Sequence, residues 1–446
     1  MIRSLLNRKL SLKGPIVIFS IEVLIRDLHS RMNIAKFLTS KGITCLFMPQ
    51  NLLVNCLRKE GFKYVDHIML KSCQGFMFTK YLNKYDLNNT SISSIDEELF
   101  SITKKEYIKS RHDLIGINKA NKIFCSNPEE YNFLSTNYPD KVQKFILTGN
   151  VRSKLRINLK KNISTGKNPK YLLLSTFPSI TRSEKELRIT ERSEDPDIRK
   201  DKAYKTDLFD CFYNLFIKDQ ISINKKSNNN LINLRPHPRD NIKKLSNIFK
   251  KKHFIIDNPL LDVVNHCKMY KTKIIHFGSS SALELKRSNV DSNFIYSDRL
   301  LKKYNLSIPD EIYKNSNSIN IDNKSKKQVL SLLKSNNGNI NKVIHNKINN
   351  NPAERIAKEI TELIQLKEGK RIKKIFNIYD IISKKKLLLN RLKTILGKNR
   401  YSHTKCRILT RKDKDMITQI HTGLEFKFIG QIIVAEAQNS INSRKK

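Results

Sequence analysis

The chain has 446 residues, 39% of them apolar, with 85 Lys and Arg against 41 Asp and Glu, a formal net charge of +44. That length suits two or three units of roughly 150 residues. Its 21 Phe and 15 Tyr can fill a real core, which excludes a small disulfide-stapled scaffold and a wholly disordered protein. The longest apolar stretch, 15–21, stops at Glu22, short of the roughly 18 residues that cross a bilayer. Lys9 and Lys13 break up the basic N-terminal stretch and no small-residue cleavage site follows, so neither a transmembrane helix nor secretion is expected. Seven cysteines without a CxxC pair read as reduced core thiols, as in the cytoplasm. Heavy use of Lys, Asn and Ile fits codon drift, yet the resulting field favours anionic partners: sugar nucleotides, phospholipid headgroups or nucleic acid.

In chain order, the apolar run at 15–20 reads as a strand. Leu28, Met32, Ala35, Phe37 and Leu38 then mark a helix ending at Gly42, and a second strand covers 43–48. A crossover helix of that length implies parallel pairing. The pattern continues with a helix at 52–60, a strand at 64–69, a helix near 76–83 and strands at 91–95, 123–125 and 144–147. The polar stretch 158–169 reads as a linker. Beyond it come strands at 171–175, 231–234, 254–257 and 273–276, with helices at 206–216, 241–249, 261–268 and from 280. The charged stretch 181–205 has no apolar period and reads as a surface loop. The expected fold is therefore α/β, with two Rossmann-like doubly wound domains facing a cleft, and site residues just after strands.

Two strand ends carry chemistry. Arg235-Pro236-His237-Pro238 follows the strand LINL; the Arg can hold a pyrophosphate by forked hydrogen bonds and the His by one directed donor, on a turn fixed by the prolines. His276-Phe277-Gly278-Ser279-Ser280-Ser281-Ala282-Leu283-Glu284 follows KTKII and runs into a helix. Gly278 permits close backbone approach, Ser279, Ser280 and Ser281 supply hydroxyls and free backbone N–H groups, and Glu284 can accept from ribose hydroxyls. A Ser-capped helix with a first-turn acid explains these residues one at a time, but not their arrangement beside RPHP. No GxGxxG, GxxxxGK[ST] or GxSxG occurs, which argues against a dehydrogenase, a P-loop ATPase and an α/β-hydrolase.

These pieces, with IVIFSIEVLIRDLHSRMNIAKFLTSKGI, the acidic run at 95–99, Leu147-Thr148-Gly149-Asn150 with Arg152, and Leu174-Ser175-Thr176-Phe177, resemble the bacterial surface carbohydrate biosynthesis proteins. That family looks like glycosyltransferases of the two-Rossmann-domain GT-B type, and its second half is similar to the CDP-glycerol glycerophosphotransferases. The matching pieces span about residues 15–290. The resemblance implies a nucleotide-activated sugar or polyol donor in the second domain, on Arg235, His237, Gly278, Ser279, Ser280, Ser281 and Glu284, with no bound cofactor and no metal. It implies an acceptor in the first domain, with Arg26 meeting an acceptor phosphate and Glu22 or Asp27 taking a proton from the attacking hydroxyl; a helix-start Asp27 also reads as a cap. Asp96 and Glu97 are the alternative base or acceptor-hydroxyl ligands. The family's Gly-Asn-Pro-Arg turn is here Gly149-Asn150-Val151-Arg152, with Lys154 where an acid is usual, so acceptor contacts at Asn150 and Arg152 depart from the pattern.

From Lys370 onward the chain holds 20 Lys and Arg against 5 Asp and Glu. Ile375, Ile378, Ile382, Leu388, Leu392 and Ile395 fall near helical spacing among basic residues. A basic amphipathic helix over 371–396 would lie on an anionic membrane surface or pack on the first domain. The expected division is 1–156 for an acceptor domain, 170–368 for a donor domain and 369–446 for a basic, partly helical tail, with 426–435 a strand or buried helix. The function this implies is nucleotide-sugar-dependent transfer to a glycan or lipid-linked acceptor of a surface polysaccharide, in the cytoplasm or on the inner face of the membrane. Glycerophosphotransfer, a basic nucleic-acid-binding protein and a non-catalytic assembly protein are the alternatives. Nucleic acid is disfavoured because the basic residues are not interleaved with stacking aromatics.

Overall fold

A computed structural model describes residues 9–12, 14–22, 24–50, 52–53, 65–74, 90–97, 108–109, 111–151, 171–174, 196–217, 232–235, 263–270, 272–279, 281–287, 290–308, 312–313, 316–334, 351–365, 374–377, 414–415, 417–418, 424–429 and 432–437. Its strands are β1 (Lys9–Leu12), β2 (Ile16–Ile21), β3 (Thr44–Pro49), β4 (His67–Leu70), β5 (Ser91–Ile95), β6 (Lys122–Cys125), β7 (Phe145–Leu147), β8 (Tyr171–Leu174), β9 (Ile232–Arg235), β10 (Lys273–His276), β11 (Ser292–Tyr296), β12 (Asn317–Asn320), β13 (Lys374–Asn377), β14 (Leu424–Ile429) and β15 (Ile432–Ala437). The chain divides into one unit made of Met1–Asn158 with His345–Lys446 and a second made of Leu159–Ile344.

The first unit is built on an eight-stranded sheet of order β14-β15-β3-β2-β4-β5-β6-β7. From β3 to β7 every neighbouring pair is parallel. All six residues of β2 are buried, as a strand covered on both faces requires. The helix Leu24–Thr39 returns the chain from β2 to β3 and buries Leu28, Met32, Ala35 and Leu38. It stops at Gly42, whose φ of +76° suits glycine, with the Ile43 N–H bonded to the Leu38 carbonyl at 3.2 Å. The strand order reverses between β2 and β4: β3 lies on one side of β2, and β4 to β7 run outward on the other. That reversal is the point where doubly wound sheets take ligands, at the strands' carboxyl ends.

Two expectations for the C-terminal part change, and a third is decided between its alternatives. Helix Pro352–Gln365, in the segment assigned by sequence to the second domain, belongs to the first unit. It packs on helix Leu24–Thr39, burying Ile356, Ala357, Ile360 and Ile364, and its Arg355 donates to the Leu147 carbonyl at 2.6 Å. Residues 374–377, expected inside a basic helix, form β13 and pair antiparallel with β1; the rest of the 371–396 segment lies outside the described residues. Four residues of which Ile375 and Phe376 alone are apolar carry no helix-versus-strand information of their own, and here a partner near the other end of the chain supplies the ladder. The apolar stretch near 426–435, expected as a strand or buried helix, takes the strand alternative: β14 and β15 pair antiparallel and extend the sheet antiparallel from β3.

In the second unit five strands, all parallel, run in the order β12-β11-β10-β8-β9. Along β8 the side chains alternate between faces. Tyr171 and Leu173 join Tyr204, Leu208, Phe209 and Phe212 of helix Pro196–Phe212 on one face, and Leu172 and Leu174 join Val264 and Cys267 of helix Val263–Tyr270 on the other. This is a doubly wound sheet. Residues 196–205, expected in a surface loop, are the first turns of helix Pro196–Phe212. Among the described side chains of those turns Tyr204 is the buried one, so the charged residues around it show no apolar period until the core contact is known. The order reverses between β8 and β10, which places this unit's switch point at the ends of those two strands.

The five cysteines among the described residues, Cys45, Cys73, Cys125, Cys211 and Cys267, are not in disulfides, and all but Cys211 are buried. No helix among the described residues is long and apolar enough to cross a membrane.

Candidate functional site

In the second unit three strand ends stand level. Arg235 is in register with Leu174, and Ile275 with Leu173, so Arg235 and His276 flank the end of β8 from either side. At about 4.8 Å per parallel neighbour their backbones are roughly 10 Å apart. Arg235 is half-buried and closes β9. Its guanidinium lies near His266 of helix Val263–Tyr270; burial first and this positive charge second push that imidazole down to about 3, so His266 is neutral.

The turn after β10 carries Gly278 at a φ of +90°, a conformation that glycine adopts without strain. The sequence suggested free amides here, but the structure assigns them partners. The Gly278 and Ser279 N–H groups each donate to His276 Nδ1 at 3.3 Å. Ser279 Oγ accepts from the Ser281 amide at 3.2 Å, and the Ala282 amide bonds to the Ser279 carbonyl. A Cβ built on Gly278 would lie 3.8 Å from Cε of Lys205, so the lysine stem of helix Pro196–Phe212 covers this turn. The Lys205 ammonium is 2.7 Å from Asp201. Ser281 opens helix Ser281–Arg287 and Glu284 lies half-buried within it. His237 and Ser280 lie outside the described residues.

In the first unit the switch point is charged. Glu22 directly follows β2 and Lys71 directly follows β4, and the two side chains form an ion pair. The Glu22 side chain is 33% exposed, whereas Asp27 is buried and accepts the Glu22 backbone N–H at 3.0 Å, bracing the strand-to-helix turn. One strand further out, Asp96 is held by Arg111 Nε at 2.6 Å. Beside it Glu97 Oε2 accepts from Ser30 Oγ at 2.9 Å and lies 3.6 Å from Nη1 of the fully buried Arg31. The acidic run is therefore not a solvated patch: both described carboxylates sit in the interior against arginines. Asn150 is buried after Gly149, whose φ is +82°. The Arg26 side chain, Arg152 and Glu98 lie outside the described residues.

Deeper at the same edge, His112 Nε2 meets Glu130 Oε1 at 2.9 Å, while Glu130 Oε2 accepts from the Ser126 amide and hydroxyl at 2.8 and 3.1 Å. Burial alone would lower the His112 pKa, but the Cys73 thiol and the Glu130 carboxylate outweigh it and raise it to about 10. This histidine is a charged internal brace.

The structure thus sets Arg235 and the turn at Gly278 and Ser279 on either side of the end of β8, and joins Glu22 to Asp27. Sequence reasoning passed over Lys71, Arg31, Arg111, Lys205 and His266. Lys71 was recoverable from its place directly after a strand; Arg31 and Lys205 sit mid-helix, and nothing local separates them from other surface-type basic residues.

No protein-family model and no curated protein matches the chain. Among solved structures it is similar to a variant of the wall teichoic acid polymerase TagF soaked with CDPG, at 9% identity over 88% of this chain and 90% of that one, TM-score 0.42. It is also similar to S. aureus MnaA in a co-structure with UDP, at 10% identity over 86% and 98%, TM-score 0.39. A third likeness is to Arabidopsis thaliana UGT89C1 complexed with UDP, at 7% identity over 82% and 98%, TM-score 0.33.

Proposed function

We propose that the chain is a glycosyltransferase-like enzyme that moves a sugar from a nucleotide donor to a glycan or lipid-linked acceptor of a surface polysaccharide, working on the cytoplasmic side of the membrane. The observation that carries this reading is the placement of Arg235 and the Gly278–Ser279 turn on either side of β8 at the switch point of the second sheet. A forked cation and a close-approach glycine turn suit a nucleoside diphosphate. His237, Ser280, Ser281 and Glu284 complete the donor set in this reading, and Arg26, Asn150 and Arg152 contact the acceptor.

In the transfer, an acceptor hydroxyl attacks the anomeric carbon, the bond from that carbon to the diphosphate oxygen breaks, and the nucleoside diphosphate leaves with the electron pair against Arg235. Glu22 takes the hydroxyl proton. Its carboxylate is engaged as theirs are, by Lys71, but its partial exposure supports it over Asp27, Asp96 and Glu97, which are buried. A CDP-polyol donor fits the same residues, because Arg235 and the turn would grip its diphosphate. There the hydroxyl attacks the distal phosphorus, the P–O–P bridge breaks, CMP leaves and the polyol phosphate is transferred, so a phosphodiester in the product in place of a glycosidic bond would select that reading.

The test is a thermal-shift screen of the full chain against UDP-, GDP-, CMP- and CDP-activated donors at physiological salt. Selective stabilisation by one nucleotide, lost in Arg235→Ala, is expected. An equal response to all donors, or none, would overturn the reading.

A further inference from the structure

The imidazole of His276 joins the turn after β10 to the neighbouring strands. The ring is fully buried and stacks on Phe294, centroids 5.6 Å apart and planes 21° from parallel. Nδ1 accepts from two amides, those of Gly278 and Ser279, and a ring nitrogen that accepts carries no proton. The single ring proton therefore sits on Nε2, which lies 3.1 Å from Ser316 Oγ and donates to it. Ser292 Oγ also donates to Ser316 Oγ, at 3.3 Å, so the tautomer that the two amides set is met by an accepting hydroxyl from beside β12, itself held from β11. Burial holds the ring neutral, its pKa pushed down to about 3.

Burying an imidazole costs desolvation that an apolar ring of the same size would avoid. What the imidazole adds over Phe is a donor, which Ser316 takes, and an acceptor, and both amides that use the acceptor belong to the turn. It also fixes which way that turn faces: the Gly278 and Ser279 amides point at the ring, so a ligand meets the turn from its other side.

We propose that His276 is the positioning residue of the donor turn, a neutral imidazole that locks Gly278 and Ser279 into the conformation that receives the nucleotide diphosphate. This rests on the donor-site reading above. It predicts that the acceptor at Nδ1, and not the bulk or the aromatic stack, is what nucleotide binding requires.

The experiment uses full-length protein and isothermal titration with UDP and CDP, with ligand-free melting and far-UV circular dichroism as controls. His276→Phe keeps the ring and its stack on Phe294 without an acceptor; His276→Asn places a carbonyl oxygen near the Nδ1 position. The Phe variant is expected to bind at least about tenfold more weakly and the Asn variant to stay within about threefold of wild type. Wild-type affinity in the Phe variant, or equal loss in both, overturns the inference. Should both variants fail to fold, Ser316→Ala decides it: that change leaves the Nε2–H without its acceptor and loosens the ring that holds the two amides, so weaker nucleotide binding with unchanged ligand-free melting supports the lock, and unchanged binding overturns it. Wild-type protein that binds neither nucleotide overturns the donor-site reading itself, whereas binding that is insensitive to His276→Phe overturns only the role of His276.

Discussion

The two sheets, one parallel throughout and the other parallel from β3 to β7, solve the same packing problem with opposite electrostatics. At the end of the first, acidic groups are matched to basic ones: Glu22 with Lys71, Asp96 with Arg111, Glu97 with Arg31 and Glu130 with His112. At the end of the second, a cation stands beside neutral rings, Arg235 near His266, and His276 bonded to a glycine turn. A buried charge must be paired or discharged, and each unit uses one of these remedies. The first end keeps its charges and so can supply a carboxylate; the second sets a half-buried guanidinium among discharged imidazoles, which suits an anionic ligand.

The largest expected effect breaks the second end. Arg235→Ala should weaken nucleotide binding by about a hundredfold, since truncating a charge-assisted partner costs about 2–5 kcal/mol, read as a rise in Kd by calorimetry with the fold retained. Arg235→Lys should restore only part of it, because a point charge does not replace a fork.

The next breaks the first end. Arg31→Ala leaves Glu97 buried without its guanidinium and should cost about 3–5 kcal/mol, measured by denaturant unfolding. Arg31→Met with Glu97→Leu removes both charges and should recover most of the loss. A double variant as unstable as the single one would show that the pair does more than cancel itself.

Gly116→Ala probes the same unit through packing alone. A Cβ there would overlap the Cys73 carbonyl oxygen, so a loss of about 1–3 kcal/mol is expected. Gly278→Ala meets only ordinary contacts, at 3.8 Å from Lys205 Cε and 3.9 Å from the Phe294 ring, and its positive φ alone costs about 1–2 kcal/mol.

The smallest effect sharpens the comparison through pH. His112 has a folded pKa of about 10, above the unfolded value of 6.5, so its contribution is full below pH 6.5 and is lost as pH rises toward 10. His266 and His276 are both lowered to about 3, so theirs is full above pH 6.5 and is lost as pH falls toward 3. Hydrogen exchange resolved by region should show the second unit losing protection on the acid side, and the first losing on the alkaline side a component that is absent in His112→Gln. Parallel pH profiles in both units, unaltered by that substitution, would refute the contrast.

Much of the architecture was written locally. Residues 16–21 are apolar or small at every position, which leaves a strand covered on both faces as the reading, and Lys273–His276 and Ser91–Ile95 fall where period and flanking turns put them. The strand-end rule also led to Arg235 and the Gly278 turn, because chain order alone says which residue follows a strand, whereas Glu22 came from the family resemblance. What it could not supply is who partners whom. That the Gly278 and Ser279 amides turn inward to His276, that Asp96 and Glu97 are buried against Arg111 and Arg31, and that residues 352–365 return to pack on helix Leu24–Thr39 all depend on contacts between distant positions. Local sequence sets backbone preference and hydrophobic period; the pairing of buried charges, and the side of the chain on which a late helix finds its apolar face, are decided by the free energy of desolvation, which exists only once the core is assembled.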